Sequence, residues 1–168
     1  DLISAVEYVA SRPGVDRNRI GALGLSLGGA VSILSAARDS RIRAVVDDSG
    51  FSDAPRVISS SFEHFIGLPA FPFAPITVAI SEVRTGQDIS SVRPVDVIAR
   101  ISPRPVLILH CQEDQVVPPG NSERNFQAAR EPKEIWRIPT GGHIAGHTVA
   151  REEYERRVTE FFDRALGE

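Results

Sequence analysis

The sequence predicts an α/β fold in which a parallel β-sheet is flanked by helices. Short apolar runs suited to buried strands alternate with stretches whose apolar residues recur at helical spacing, as is typical of parallel sheets with crossover helices. The clearest strand, residues 106–109, is apolar at every position, which is expected when both faces of a sheet are covered. Polar loops follow the predicted carboxyl ends of the strands, where ligands bind in such folds.

The predicted elements follow one another in a regular order. Helical spacing of apolar residues indicates an amphipathic helix over the first dozen residues, and Arg12-Pro13-Gly14 ends it. Strands and helices then alternate. We expect strands at residues 20–25, 42–46, 106–109 and 134–138, and further helices at residues 27–37, 122–130 and 149–166.

A long segment, residues 51–102, separates the second and third predicted strands. Its prolines forbid one continuous helix and it carries several phenylalanines, so we expect an irregular insertion. A connection of this length inside a compact domain is usually functional. We therefore predict a single domain over residues 1–168 with a cap or lid over residues 51–102. The alternative is that its aromatic residues simply cover the sheet.

Bulk composition excludes several classes of protein. The net charge is −3 and the basic residues are scattered, so a nucleic-acid partner has no electrostatic support. The most apolar segment, residues 68–80, is short and interrupted by prolines, so no membrane span is expected. A single cysteine, Cys111, excludes an intrachain disulfide and leaves the compartment open, with the cytoplasm favoured. Because methionine is absent, we expect the natural product to carry residues before Asp1.

The stretch Gly24-Leu25-Ser26-Leu27-Gly28 lies between a predicted strand and a predicted helix. This strand–turn–helix context gives a G-x-S-x-G motif its meaning, because the serine is held in a strained turn with its hydroxyl exposed. Side chains two positions before and after the serine are expected to collide, so both glycines are predicted to be required. The following helix directs free N–H groups towards the turn, which suits a nucleophile whose attack creates an oxyanion.

Three predicted strand ends carry Ser26, Asp114 and His143 in that order. A serine hydroxyl needs a base to take its proton, a histidine does so near neutral pH, and a carboxylate orients that histidine. The order serine, acid, histidine is the one found in α/β-hydrolases. Asp47 and Asp48 also end a strand and are alternative acids, although capping of the loop that follows is the favoured role for both.

Other chemically capable side chains have simpler interpretations. His147 is an alternative base but is expected at the start of the last helix, in solvent. His110 is expected to be a hydrogen-bonded structural residue, and His64 to lie on the surface. Cys111 lacks the context of a nucleophile. The sequence has no metal-ligand spacing and no glycine-rich phosphate loop, so neither a metal nor a cofactor is predicted.

The chain resembles the C-terminal part of an α/β-hydrolase, in the branch of dienelactone hydrolases and prolyl-oligopeptidase-like serine hydrolases. The resemblance implies Ser26 as nucleophile, Asp114 as acid, His143 as base and the backbone N–H of Leu27 as an oxyanion donor. The matching residues are 24–29, 105–110, 113–118 and 141–143, followed by Tyr154, Phe161 and Phe162.

Two departures from the resembling family affect the expected function. Cys111 stands where glycine is common, and the first four family strands, with the loop that supplies the second oxyanion donor, are missing. The strand before Ser26 would then be an open edge, which favours pairing with a preceding segment or with a second copy. This chain alone is therefore expected not to be a competent enzyme.

The predicted function is that of a serine hydrolase with an acyl-enzyme intermediate. Its substrate would be a small-molecule or peptide ester, lactone, thioester or amide. An acyltransferase would use the same three residues. The alternative from another class is a non-catalytic hydrolase-derived module that self-associates or requires a companion segment.

Overall fold

A parallel four-stranded sheet forms the centre of the structure, as predicted. The computed structural model describes residues 2–167, and the strand order across the sheet is β1-β2-β3-β4, with every neighbouring pair parallel. The strands are β1 (Ile20–Leu25), β2 (Ile42–Asp48), β3 (Val106–Cys111) and β4 (Lys133–Ile138). The α/β fold class is thereby confirmed.

The strand register brings four loops to one edge of the sheet. Leu25 lies opposite Asp48, Asp48 opposite Leu109, and Cys111 opposite Ile138. The loops that follow these ends therefore meet at a common rim. β2 and β3 extend two residues beyond their predicted ends, so the polar residues there, including His110, belong to the sheet and not to loops.

Helices cover both faces of the sheet and follow the predicted order. The last helix begins two residues later than expected and is preceded by a short helix that the sequence did not predict, and α6 begins and ends two residues earlier than expected. The helices are α1 (Leu2–Ala10), α2 (Leu27–Ala36), α3 (Ala54–Ser61), α4 (Ala70–Thr85), α5 (Pro94–Val97), α6 (Gly120–Ala128), α7 (Gly146–Val149) and α8 (Arg151–Leu166).

The hydrophobic core has two layers because strand side chains alternate between the faces of the sheet. On one face, Val106 and Ile108 of β3 pack in a cluster with Ile33 of α2. On the other face, Leu107 and Leu109 pack with α8. An added Cβ on Gly21 would overlap the ring of Phe162, so α8 lies directly on β1.

The segment 51–102 is built of short helices and is not irregular as the sequence suggested. It contains α3, α4 and α5, a π-helical turn at Phe62–Ile66, and 3₁₀ turns at Ile89–Ser91 and Ile98–Arg100. Glycines in left-handed conformations at positions 67 and 86 end two of these pieces, and the prolines that disfavoured helix lie in or beside the helices, with Pro75 inside α4.

Most phenylalanines of this segment do not cover the sheet. Phe51 is buried against Ala30 and Val117, whereas Phe71 is 80% exposed and Phe65 59% exposed. The interpretation of residues 51–102 as a cap or lid stays a prediction. Within residues 2–167, no helix is both long enough and apolar enough to cross a bilayer.

Within the described residues both outer strands of the sheet, β1 and β4, pair on one side only, and the β1 edge is the one that leads into Ser26. Within the described chain, β1 pairs only with β2, and its side chains Leu23 and Leu25 are 41% and 43% exposed. The backbone groups on its outer side are therefore available to another strand.

Candidate active site

Ser26 lies in the turn between β1 and α2, at the common rim of the sheet. Its backbone has φ 54° and ψ −118°, a region in which non-glycine residues are strained by about 1–3 kcal/mol. Its N–H donates to the Asp48 carbonyl at 2.8 Å, and its carbonyl accepts from the N–H of Gly29 at 3.0 Å. These bonds hold the strained turn that the motif predicts.

The structure requires glycine at two positions near Ser26, of which the sequence predicted one. A Cβ on Gly24 would overlap the backbone of Gly28, so the need for glycine at 24 is confirmed. A Cβ on Gly28 would meet nothing within 4 Å, so the predicted need at 28 is wrong. The second required glycine is instead Gly29, where a Cβ would overlap the carboxylate of Asp47.

The structure brings together the three residues that the sequence selected. His143 Nε2 lies 2.7 Å from Ser26 Oγ, and His143 Nδ1 lies 2.7 Å from Asp114 Oδ2. The carboxylate can only accept from Nδ1–H, so Nε2 is free to accept the serine proton. The Asp114 side chain is fully buried, and that of His143 is 18% exposed.

Asp114 is held by three hydrogen bonds and a close contact with a second histidine. Its Oδ1 accepts the backbone N–H groups of Val116 and Val117, each at 2.9 Å. Its Oδ2 accepts from His143 and also lies 3.2 Å from His110 Nε2. Burial alone would raise the pKa of Asp114, but the bonds from the two histidines and Val117 hold it below its ordinary value. The carboxylate is therefore ionised.

His110 is buried and hydrogen-bonded, as the sequence suggested, but its partner was not foreseen. Its Nε2 donates to the Val117 carbonyl at 2.8 Å in addition to facing Asp114. Burial lowers its pKa, yet the hydrogen bonds to Asp114 and Val117 outweigh burial and raise it above the ordinary histidine value. The sequence indication of this contact is the four-residue spacing of His110 and Asp114. The position of His110 at a strand end does not by itself predict the contact.

The alternative acids have other surroundings. Asp48 accepts hydrogen bonds from Tyr154 Oη and Ser49 Oγ, each at 2.8 Å, and has none with His143. Burial raises its pKa, and these two bonds oppose the rise. Asp47 is fully buried. Neither of its carboxylate oxygens makes a hydrogen bond of good geometry within the described chain, although Asn125 and the Gly50 N–H lie near enough to oppose the rise of its pKa. Burial raises the pKa of Asp47 to about 7, against the opposing charge of His110.

The remaining candidates do not join the site. His147, which lies in α7, pairs with Glu155 at 3.0 Å on the surface. The ring of His64 lies edge-on to Phe65. Cys111 is buried, which raises its pKa to about 11. Among residues 2–167, no three His, Cys, Asp or Glu side chains are grouped as a metal ion would require.

The sequence relationships agree with the fold. The model of the prolyl oligopeptidase family matches residues 1–168. The chain belongs to the prolyl oligopeptidase family. Relatives of this family member include YqkD of Bacillus subtilis, 29% identical over 97% of the chain, and YfhR of Salmonella typhi, 34% identical over 86%. These matches cover 53% and 47% of the relatives, so the chain spans about half the length of the curated relatives it matches.

Solved α/β-hydrolases have the same fold as this prolyl oligopeptidase family member. The acylaminoacyl peptidase of Pyrococcus horikoshii superimposes with a TM-score of 0.77 at 20% identity, over 98% of this chain and 27% of that protein. The α/β-hydrolase GrgF of Penicillium sp. sh18 gives 0.76 at 21%, over 99% and 71%. An esterase of Pyrococcus furiosus gives 0.71 at 23%, over 99% and 61%. The family and its neighbours support a hydrolase.

The backbone N–H that the sequence predicts as an oxyanion donor is that of Leu27. Leu27 begins α2 directly after Ser26, and no acceptor in the described part of the chain takes up its backbone N–H. The positive end of the α2 dipole lies at the same turn. A negative oxygen that forms beside Ser26 Oγ would therefore meet one N–H and a favourable field.

Proposed function

We propose that the chain is a serine hydrolase that cleaves an ester, lactone, thioester or amide through an acyl-enzyme. Ser26 is the nucleophile, His143 the base and Asp114 the acid that orients it. The observation that carries the proposal is the unbroken hydrogen-bonded series from Ser26 Oγ through the His143 ring to Asp114, with two contacts of 2.7 Å.

Each residue has a defined step in the proposed reaction. Ser26 Oγ attacks the acyl carbonyl while its proton passes to His143 Nε2, and the carbonyl oxygen becomes an oxyanion beside the Leu27 N–H. The intermediate collapses, and His143 gives the proton to the leaving group. Water then attacks the acyl-enzyme with His143 again as base, which releases the acid and restores the serine hydroxyl.

Asp114 supplies orientation and charge. Its ionised carboxylate fixes the Nδ1–H tautomer of His143 and stabilises the imidazolium that forms during attack. The two backbone bonds from the loop at residues 116–117 hold it in place. Cys111, which replaces a glycine common in the resembling proteins, ends β3 before this loop without taking the carboxylate out of reach of His143.

The substrate is proposed to be a small molecule or a peptide with an acyl group. The relatives with described activities include a peptidase and an esterase, and the same three residues serve both reactions. An exposed apolar surface on segment 51–102, including Phe65 and Phe71, favours an acyl or aromatic substituent. Removal of an oxyanion donor costs about 10²–10³ in rate, so full turnover is proposed to need a second donor besides the Leu27 N–H.

The test is to trap the acyl-enzyme formed with an activated ester such as p-nitrophenyl acetate. Acid quenching during turnover should give intact protein heavier by one acetyl group, located on Ser26 by peptide mass spectrometry. His143→Gln should slow acylation by about 10³-fold or more. The exposed His147 provides the matched control, and His147→Gln should acylate normally. Equal acylation of both variants would overturn the proposal.

An association role has its own supporting observation, the open outer edge of β1. We propose that a companion segment or a second copy pairs there. Because β1 is hydrogen-bonded to a neighbouring strand on one side and not on the other, it presents a row of unpaired backbone groups on its outer side. Sedimentation velocity of the isolated chain tests the second-copy form, with a dimer expected. If the chain is a monomer that gains activity when a segment able to pair with β1 is supplied, the partner is a companion segment. A monomer that is fully active alone contradicts both proposed partners.

A further inference from the structure

A cleft of about 570 Å³ lies between α3 and α6, outside the set of residues assigned to the proposed chemistry. Its charged lining residues are Asp53, Arg56, Arg93 and Arg124, one carboxylate against three guanidinium groups. The loop that holds Asp114 leads into its wall at Pro118, so the cleft opens near the same rim of the sheet. Its charge balance is the feature that requires an explanation.

Only one of the three arginines in the cleft is neutralised. Arg93 forms ion pairs with Asp53 and with Asp96, the latter at 2.6 Å. Asp53 thus has its own cation, and its remaining oxygen accepts the backbone N–H of Arg56. Among residues 2–167, the guanidinium of Arg56 has neither a hydrogen-bond partner nor an ion-pair partner. Two positive charges are left in the cleft.

Arg124 is held in position by neutral groups. Its Nε donates to Ser52 Oγ at 3.0 Å and its Nη2 to Asn121 Oδ1 at 3.0 Å, and both partners are buried. In the described chain no acceptor occupies Nη1. Burial lowers the pKa of Arg124, and the charge of Arg56 acts in the same direction. A guanidinium oriented by neutral partners next to a second guanidinium is arranged to receive an anion.

We propose that this cleft binds a carboxylate or phosphate group carried by a small molecule, with Arg56 and Arg124 as its cations. The planar Arg124 fork supplies directed N–H donors, and Arg56 adds the unpaired charge of an exposed side chain on α3. The N-terminal end of α6 at Gly120, which also lines the cleft, adds a favourable dipole. A bound anion would therefore attract both arginines, which otherwise repel each other.

The binding test uses calorimetric titration of the chain with inorganic phosphate and, separately, with succinate at low ionic strength. We expect saturable binding with one site per chain, weakened by added salt. Arg56→Gln and Arg124→Gln should each reduce affinity by about tenfold. Arg130→Gln, at an exposed position beyond α6, is the control and should bind as the unmodified chain does.

Arg56→Gln is the decisive variant because the exposed Arg56 side chain makes no hydrogen bond or ion pair within residues 2–167, so its replacement should leave the thermal midpoint unchanged. Failure of the unmodified chain to bind either anion saturably would overturn the proposal. So would equal affinity of Arg56→Gln and Arg130→Gln for both anions. Neither outcome depends on hydrolysis, so they are distinct from a failure of the proposed enzymatic function.

A second arm identifies the molecule that carries the anion, and it alone rests on the proposed function. It compares kcat/KM for the p-nitrophenyl monoester of succinic acid with that for neutral p-nitrophenyl butyrate. A loss of about tenfold in Arg56→Gln, confined to the anionic ester, assigns the anion to the substrate and supports the proposal. If Arg56→Gln leaves the ratio of the two kcat/KM values unchanged but weakens phosphate binding, the cleft binds an anionic ligand that is separate from the substrate.

Discussion

The buried carboxylate of Asp47 should make the stability of the protein fall as the pH rises. Asp47 is inaccessible to solvent, and neither of its oxygens makes a hydrogen bond of good geometry within the described chain; Asn125 and the Gly50 N–H nearby only partly offset the effect of burial. Burial raises its pKa from 3.8 to about 7. Between these values the folded protein retains a proton that the unfolded chain releases, so the contribution of Asp47 to stability is fully present below pH 4 and is lost as the pH rises through 7.

The size of the effect follows from this difference of about three pH units. Each unit corresponds to about 1.4 kcal/mol, so the penalty for ionising Asp47 in the folded state reaches about 4 kcal/mol above pH 7. Asp47→Asn keeps the shape of the side chain and removes the ionisation. Relative to the unmodified protein, the variant should therefore gain about 4 kcal/mol of unfolding free energy between pH 4 and pH 8.

The assay is urea unfolding of both proteins at pH 4 and pH 8, with the difference between them taken at each pH. Other titrating groups are common to both proteins and cancel in that difference. Asp163→Asn, which changes an exposed aspartate on α8, serves as the control and should show no comparable gain. An equal difference at the two pH values for Asp47→Asn, or a larger benefit at pH 4, would refute the reasoning.

Three other substitutions test the surroundings of the site. Gly29→Ala should destabilise by about 1–3 kcal/mol through overlap with a buried carboxylate, whereas Gly28→Ala should be tolerated; equal unfolding midpoints would contradict this. Tyr154→Phe should cost about 1–3 kcal/mol in urea unfolding, since it leaves a buried carboxylate oxygen without its 2.8 Å donor, and no loss would count against that bond. His110→Asn should move the acidic limb of the kcat/KM profile to higher pH, because a positive charge beside the carboxylate that orients the base is removed; an unmoved limb would exclude this role.

The sheet could be predicted because its signals are local. β1 was located to the residue, since an apolar run precedes a glycine-flanked serine, and β3 was recognised from uninterrupted apolar residues. Ser26, Asp114 and His143 could be selected because the carboxyl ends of parallel strands meet at one rim. Their contacts of 2.7 Å agree with that reasoning, and their catalytic roles stay a proposal.

Features that depend on packing between distant segments could not be predicted. The helices of segment 51–102 contain prolines, so their propensity is weak, and the packing of α3 against α4 could not be read from the sequence. Glycine is required at position 29 of α2 because the side chain of Asp47, which lies in β2, approaches the helix there. Likewise, nothing next to Arg124 in the sequence indicates that Arg56 lies across a cleft from it.

The central claim is that Ser26 is a nucleophile activated by His143, and labelling by a fluorophosphonate probe tests it most directly. We expect one adduct per chain, located on Ser26. It should be absent in Ser26→Ala, and its formation should be slowed by about 10³-fold or more in His143→Gln. An unlabelled folded chain, or labelling that persists at the same rate in His143→Gln, would contradict it.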